Sequence, residues 1–244
     1  MHINKVVLHS DKYPTRDSYP FDLEILQTAP EIVFEGPVTF FAGENGSGKS
    51  TFLKAICRKC GIYIWEDTSG ARYNNNPYED ALFEFMDVEW QDGPVPGSYF
   101  SSQIFHDFAR YLDEWARADP GMLEYFGGDS LLTQSHGQSL ISFFSARYAI
   151  KGLYLMDEPE TALSPKSQLK LLKILKETGS TGKAQFIINS HSPILLAYPG
   201  AVIYDFDSIP IRAIKYEETE YYQIYRDFMN NKEKYLEDLQ KRGG

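Results

Sequence analysis

The sequence has 244 residues, of which 43% are hydrophobic and 24% are charged, and its formal net charge is −10. This length suits one α/β domain that carries an inserted segment. The acidic balance argues against a large nucleic-acid surface, although it leaves room for a local patch. No apolar run approaches the roughly 18 residues of a transmembrane helix, and residues 1–5 lack a signal-peptide pattern. We therefore expect a cytoplasmic protein without membrane insertion.

Residues 1–35 predict a β-rich start of the chain. Apolar runs that begin at Ile3 and Ile32 are typical of short strands. Between them, Phe21, Leu23 and Ile25 alternate with acidic residues, which also favours a strand.

The next apolar run, residues 38–42, leads into a stretch that fits the pattern G-x-x-x-x-G-K-[ST]. The matching residues are Gly43, Glu44, Asn45, Gly46, Ser47, Gly48, Lys49, Ser50 and Thr51. A strand, a glycine-rich turn and a helix start at residues 51–59 form a cradle of backbone N–H groups for phosphate. We expect Lys49 to reach the β and γ phosphates of a nucleotide and the Ser50 hydroxyl to ligate Mg²⁺.

Two features near this loop are open to two interpretations. Tyr19, or less readily Tyr13, is placed to stack on the nucleotide base, and the plain alternative is a turn tyrosine. Cys57 and Cys60 have the spacing of half a metal site. Because no second Cys/His pair follows at ligand spacing, we expect two reduced thiols.

Residues 61–130 are rich in aromatic and turn-forming residues, and we interpret them as an inserted subdomain. Residues 83–90 suggest a strand, and residues 101–118 have the apolar periodicity of a helix. Gln103, at the start of that helix, is a candidate to touch Mg²⁺ and an attacking water; an ordinary polar helix residue is the alternative.

The second half alternates strands with helices. Strands are expected at residues 152–158, 185–189 and 201–206, and a helix begins at Pro165 after Ser164 as its N-cap. This alternation predicts an α/β fold with a mostly parallel sheet flanked by helices. We expect one domain over residues 1–244, with a helical tail over residues 217–244.

Three polar residues stand at the ends of two of these strands. Asp157 can hold Mg²⁺, Glu158 can orient or deprotonate the water that attacks the γ-phosphate, and His191 can hydrogen-bond that phosphate. Strand-capping carboxylates and a core histidine are the plain alternatives. Because the carboxyl ends of parallel strands share one edge, we expect these residues beside the phosphate loop.

At these residues the sequence resembles the ABC-type ATPases of the P-loop NTPase superfamily, and more closely their soluble, AAA-family members. Residues 43–51 match the Walker A motif, residues 152–159 the Walker B motif, and residues 190–193 the switch histidine. Residues 160–164 match the D-loop region, and residues 135–138 resemble the signature motif. The resemblance covers residues 1–60 and 131–215.

The resemblance implies ATP binding and Mg²⁺-dependent hydrolysis by two copies that close head to tail. Ser135 and Gly137 of one copy would contact the γ-phosphate held by Lys49 of the other, and Gln138 completes the motif. It also implies a protein partner whose identity the sequence does not give, in a process such as DNA maintenance or phage defence.

Other functions remain as alternatives. A nucleotide-gated scaffold with negligible turnover is one, although Glu158 favours catalysis. The ATP-binding subunit of a membrane transporter is another, but His136 and Ser164 depart from the transporter motifs. A chromosome-organising ATPase with long arms would need sustained heptads, and a GTPase would need a base-reading Asn/Thr-Lys-x-Asp motif; neither pattern occurs.

Overall fold

The computed structural model describes most of the chain in full atomic detail. The described residues are 1–29, 31–64, 76–119, 121, 123–124 and 136–241. Within helices, the side chains of residues 103–104, 106–109, 136 and 237–241 lie outside this description.

A small antiparallel sheet opens the fold. Its strands are β1 (Ile3–Leu8), β2 (Glu31–Val33) and β4 (Met86–Trp90), in the order β2-β1-β4. The expected β-rich N-terminal lobe is confirmed.

A six-stranded sheet forms the centre, in the order β5-β6-β7-β3-β8-β9. The strands are β3 (Val38–Ala42), β5 (Gly97–Ser101), β6 (Gly152–Asp157), β7 (Ala184–Asn189), β8 (Val202–Asp205) and β9 (Arg212–Ile214). All neighbours pair in parallel except β8 and β9. The predicted mostly parallel sheet is therefore confirmed.

The helices follow the strands in alternation, as the sequence predicts. They are α1 (Glu24–Thr28), α2 (Lys49–Lys59), α3 (Ser102–Ala116), α4 (His136–Arg147), α5 (Pro165–Gly179), α6 (Pro193–Leu196), α7 (Glu220–Asn230) and α8 (Lys232–Lys241). Helices α7 and α8 lie in the segment that was expected to form a helical tail. None of the described helices is long and apolar enough to cross a membrane.

One local prediction was wrong and a second was correct only in part. The alternation at residues 21–25 suggested a strand, but helix α1 begins at Glu24 and buries the adjacent Ile25 and Leu26. The strand expected at residues 83–90 is shorter, because residues 81–85 form a 3₁₀ helix and pairing with β1 begins at Met86.

Strands β3, β6 and β7 of the central sheet are buried along almost their whole length, which accounts for their mostly apolar sequences. In β6, Leu153 and Leu155 pack with α2 and the small sheet, while Tyr154 and Met156 pack with α3, α4 and α5. This alternation follows from the two-residue period of a strand. The sheet is thereby held rigid between two cores.

Segment 61–130 contributes to both sheets. Its strand β4 pairs with β1, and its strand β5 pairs in parallel with β6. Its description as an inserted subdomain stays a prediction.

Candidate active site

The phosphate loop, residues 43–48, connects β3 to α2 at the carboxyl edge of the central sheet. Gly48 is the N-cap of α2 with φ of +94°, a conformation that a side chain would strain. At Gly43, with φ of +144°, an added Cβ would lie 3.0 Å from Asp207 Oδ1. Asp207 in turn accepts hydrogen bonds from Glu44 N at 2.8 and 3.0 Å, so the loop is anchored from β8.

Lys49 folds back into this loop. Its Nζ donates to Gly43 O at 2.6 Å, to Glu44 O at 2.7 Å and to Ser47 Oγ at 3.2 Å. The residue is 4% exposed, and burial lowers the pKa of its ammonium against the opposing pull of nearby carboxylates that include Asp207. Two backbone carbonyls and one hydroxyl thus hold the ammonium inside the loop.

Asp157, at the end of β6, collects three hydrogen bonds. Its Oδ1 accepts from Ser50 Oγ at 2.9 Å and from Asn189 Nδ2 at 2.7 Å, and its Oδ2 accepts from Tyr99 OH at 2.9 Å. Asn189 and Tyr99 come from the two strands that flank β6, and Ser50 comes from α2. The carboxylate is thus fixed beside the Ser50 hydroxyl.

Glu158 follows directly, with φ of +46°, and is the one non-glycine residue of the described chain with a positive φ. Its Oε1 lies 3.0 Å from His191 Nε2, and its side chain is 36% exposed. Strained backbone of this kind clusters at functional sites. The turn aims the two adjacent carboxylates differently: Asp157 at Ser50, Glu158 at His191.

Glu160 holds the backbone of residues 190–192, the loop after β7 that we call the histidine loop. Its Oε1 accepts from Ser190 Oγ at 3.0 Å and from His191 N at 2.5 Å. Burial raises the pKa of this carboxyl, and its Oε2 is buried without a hydrogen-bond partner. Glu160 therefore fixes where His191 emerges from β7.

The two candidate base-stacking tyrosines lie in different surroundings. Tyr19 OH is 2.6 Å from Thr51 Oγ1, and Tyr19 lines an open cleft together with Lys54, Arg58 and Asp80. Tyr13 instead packs into the core, where its hydroxyl donates to a backbone carbonyl. Tyr19 is the candidate that reaches the phosphate-loop helix.

The signature and Gln103 are described only in part. Ser135 lies outside the described residues; Gly137 is the second residue of α4, where an added Cβ would lie 3.5 Å from Ser167 Oγ, and Gln138 follows it. For Gln103 the backbone alone is described. It comes two residues after Ser101, the register partner of Asp157.

The cysteines of α2 are free thiols. Cys57 is fully buried, and burial raises its pKa well above the ordinary value; burial also raises the pKa of Cys60 to about 12. Groups of three or more metal-binding His, Cys, Asp and Glu side chains are absent from the described part of the chain.

For five residues of the site, the sequence analysis did not predict the contacts that the structure shows. They are Tyr99, Asn189, Glu160, Asp207 and Tyr221. Asn189 and Asp207 carry a signal that could have found them, because each stands at or just after the end of a parallel strand. Tyr221 lies on the tail, far along the chain from the motifs it contacts.

Two family models match the sequence. Residues 24–87 match a model described as "AAA domain". Residues 131–197 match one described as "AAA domain, putative AbiEii toxin, Type IV TA system". No curated protein matches the chain in sequence.

Solved structures resemble the chain at low sequence identity. A nucleotide-free ATP-binding cassette from an ABC transporter aligns with a TM-score of 0.49 and 15% identity, over 84% of this chain and 87% of the other. The SMC head domain from Thermotoga maritima aligns with a TM-score of 0.41 and 16% identity, over 88% of this chain and 99% of the other.

Proposed function

We propose that this chain is a P-loop ATPase of the ABC/AAA type that binds ATP with Mg²⁺ at the phosphate loop and hydrolyses it; the matches of residues 24–87 and 131–197 to models described as AAA domains support this. The observation that carries the proposal is the contact of Ser50 Oγ with Asp157 Oδ1 at 2.9 Å, with Glu158 as the next residue. It joins the phosphate loop to a carboxylate pair at the edge of the sheet.

The residues fit the phosphates and the metal ion. Lys49 would exchange the carbonyls of Gly43 and Glu44 for phosphate oxygens, and the N-terminus of α2 adds N–H groups and the positive end of its dipole. Ser50 and Asp157 offer the oxygen ligands that Mg²⁺ prefers. When bound, the ion would neutralise charge on the transferred phosphoryl group.

The proton-handling group is Glu158. Its Oε1 lies toward His191 Nε2, and the side chain is partly exposed, so the carboxylate can accept a proton from a water. The Asp157 carboxylate instead accepts hydrogen bonds from three donors. His191 would then present its imidazole to the γ-phosphate. The adenosine would lie in the cleft beside Tyr19 and Thr51.

We further propose that two copies close head to tail around ATP, with Ser135, Gly137 and Gln138 acting across the interface. The process driven is proposed to be phage defence through a protein partner. Support comes from the description of the family model over residues 131–197, which names a toxin of a Type IV TA system.

The first test is nucleotide binding by Lys49→Ala, measured by isothermal titration with ATP and Mg²⁺. We expect binding to be lost, since Lys49 is the basic side chain held within the loop. Lys166→Ala, an exposed lysine of α5, is the matched control and should bind as the parent does. Equal affinity of Lys49→Ala and parent would remove the phosphate site.

A further inference from the structure

We propose that Tyr221, on the C-terminal helix α7, is a positioning residue that fixes the imidazole of His191 and ties the tail to the phosphate loop. The proposal rests on the proposed ATPase function for its catalytic consequence. The contact itself is a property of the nucleotide-free protein.

The Tyr221 hydroxyl sits between two elements of the site. It donates to Gly43 O at 2.9 Å, and His191 Nδ1 lies 2.5 Å from the same hydroxyl oxygen. The two rings meet edge to face, with centroids 5.1 Å apart and an interplanar angle of 82°. One phenol thus links the first residue of the phosphate loop with the histidine two residues after the end of β7.

The direction of each hydrogen bond follows from the acceptors. Gly43 O can only accept, and the Tyr221 hydroxyl donates to it at 2.9 Å; with its proton used there, the Tyr221 oxygen is left to accept from Nδ1–H of His191. The other ring nitrogen, Nε2, lies 3.0 Å from Glu158 Oε1. Tyr221 therefore selects the form of His191 that is protonated on Nδ1.

The hydroxyl is a dependable donor. Burial, followed by the charge of Glu44, raises the pKa of Tyr221 far above its ordinary value, so the phenol keeps its proton at neutral pH. Its position is set by Thr219, which is 2% exposed, caps α7 and donates to Tyr216 O at 2.7 Å. The ring enters the site from a buried anchor.

Gly43 O also accepts from Lys49 Nζ at 2.6 Å. When Lys49 turns to a phosphate, the Tyr221 hydroxyl stays as a donor to this carbonyl. The Gly43 carbonyl thus has a hydrogen-bond donor whether Lys49 contacts the loop or a phosphate.

The test compares Tyr221→Phe with the control Tyr222→Phe. The first removes one hydroxyl and keeps the ring against His191; the second removes the hydroxyl of the neighbouring tyrosine, whose ring packs against Tyr216 instead. Thermal midpoints equal to the parent's establish that both variants fold.

The first readout is independent of activity. The protein has five histidines, and the side-chain ¹⁵N signals of His191 are identified by their loss in His191→Ala. Without nucleotide, we expect a protonated Nδ1 in the parent and in Tyr222→Phe. In Tyr221→Phe the signals should move to the tautomer protonated on Nε2 alone. Signals that coincide with the parent's overturn the proposal.

The second readout is ATP hydrolysis in single turnover. Because a misplaced catalytic group can cost about a hundredfold, we expect Tyr221→Phe to be slower by about tenfold to a hundredfold, with ATP affinity changed less than about threefold. A parent-like rate overturns the positioning role. If the parent itself does not hydrolyse ATP, the proposed function fails, and the His191 signals alone decide the Tyr221 contact.

Discussion

Glu158 occupies a backbone conformation that residues other than glycine rarely adopt, and its neighbours hold it there. Its N donates to Asn189 O at 3.1 Å, and its carbonyl accepts from Thr161 N at 3.2 Å and Thr161 Oγ1 at 2.8 Å. A left-handed residue costs about 1–3 kcal/mol, which these bonds offset. The strain is thus confined to the turn that aims the carboxylate at His191.

We expect Glu158→Gln to reduce single-turnover ATP hydrolysis by roughly 10²–10⁴-fold, the usual contribution of a positioned base. Glutamine keeps the size of the side chain and an oxygen for His191 but does not take up a proton from water. The measurement is the rate of phosphate release with the protein in excess over ATP and with saturating Mg²⁺.

The control is Glu177→Gln on α5, where an exposed carboxylate pairs with Lys173. It should hydrolyse ATP at the parent's rate. A Glu158→Gln variant as fast as the parent would assign the base elsewhere. A parent without turnover would favour the nucleotide-gated scaffold.

The sequence motifs predicted that Ser50, Asp157, Glu158 and His191 would lie close together, because the carboxyl ends of parallel strands share one edge of the sheet. Their catalytic roles stay predictions. The partners of Asp157 were harder to foresee. The contact of Tyr99 with Asp157 depends on the pairing of β5 with β6. Strand β5 lies dozens of residues from any motif, and no local sequence pattern indicates its pairing.

Among the elements, helix α5 and the loop after β7 are joined by buried polar groups. Ser192 Oγ donates to Gln168 Oε1 at 2.6 Å and, as N-cap of α6, accepts from Ile194 N at 3.1 Å and Leu195 N at 3.3 Å. Gln168 Nε2 donates to Leu163 O at 3.0 Å. This network sets the distance between α5 and the histidine loop.

We expect Ser192→Ala to lower the free energy of unfolding by about 2–3 kcal/mol, because it removes a cap and leaves the buried Gln168 oxygen without its donor. Ser164→Ala removes the N-cap of α5 at an exposed position and should cost only about 1 kcal/mol. Urea unfolding of both variants measures the difference. Equal losses would show that the Gln168 contact adds nothing.

The sequence predicted the strands and helices well over residues 38–59 and 152–206, because continuous apolar runs and N-cap signals agree there. It failed at residues 21–25, where five alternating residues suited a strand. Over so short a stretch, a helix that buries the adjacent Ile25 and Leu26 gives an overlapping pattern.

For the whole molecule, the arrangement of two sheets around α2 was foreseen only in part. The alternation of elements indicated the parallel sheet, but no local signal assigned residues 86–90 to the small sheet and residues 97–101 to the central one. Such pairings are decided by long-range packing. Both strands lie in the segment that the sequence analysis interprets as an inserted subdomain.

The proposed assembly leads to the final prediction, that Glu158→Gln accumulates as a dimer with ATP held between two copies. The variant should still bind ATP, because Lys49, Ser50 and Asp157 are intact, and slow hydrolysis removes the step that releases the interface.

Gel filtration with light scattering, with and without ATP and Mg²⁺, measures this state. Adding Ser135→Arg to the Glu158→Gln variant should keep it monomeric while it binds ATP with unchanged affinity, because we place Ser135 across the interface and Lys49 within one chain. The matched control is Glu158→Gln with Ser180→Arg, at the exposed end of α5, which should dimerise as before. Loss of ATP affinity on adding Ser135→Arg would instead place Ser135 in its own chain's site. A Glu158→Gln variant that binds ATP yet stays monomeric at every concentration would refute the head-to-tail dimer.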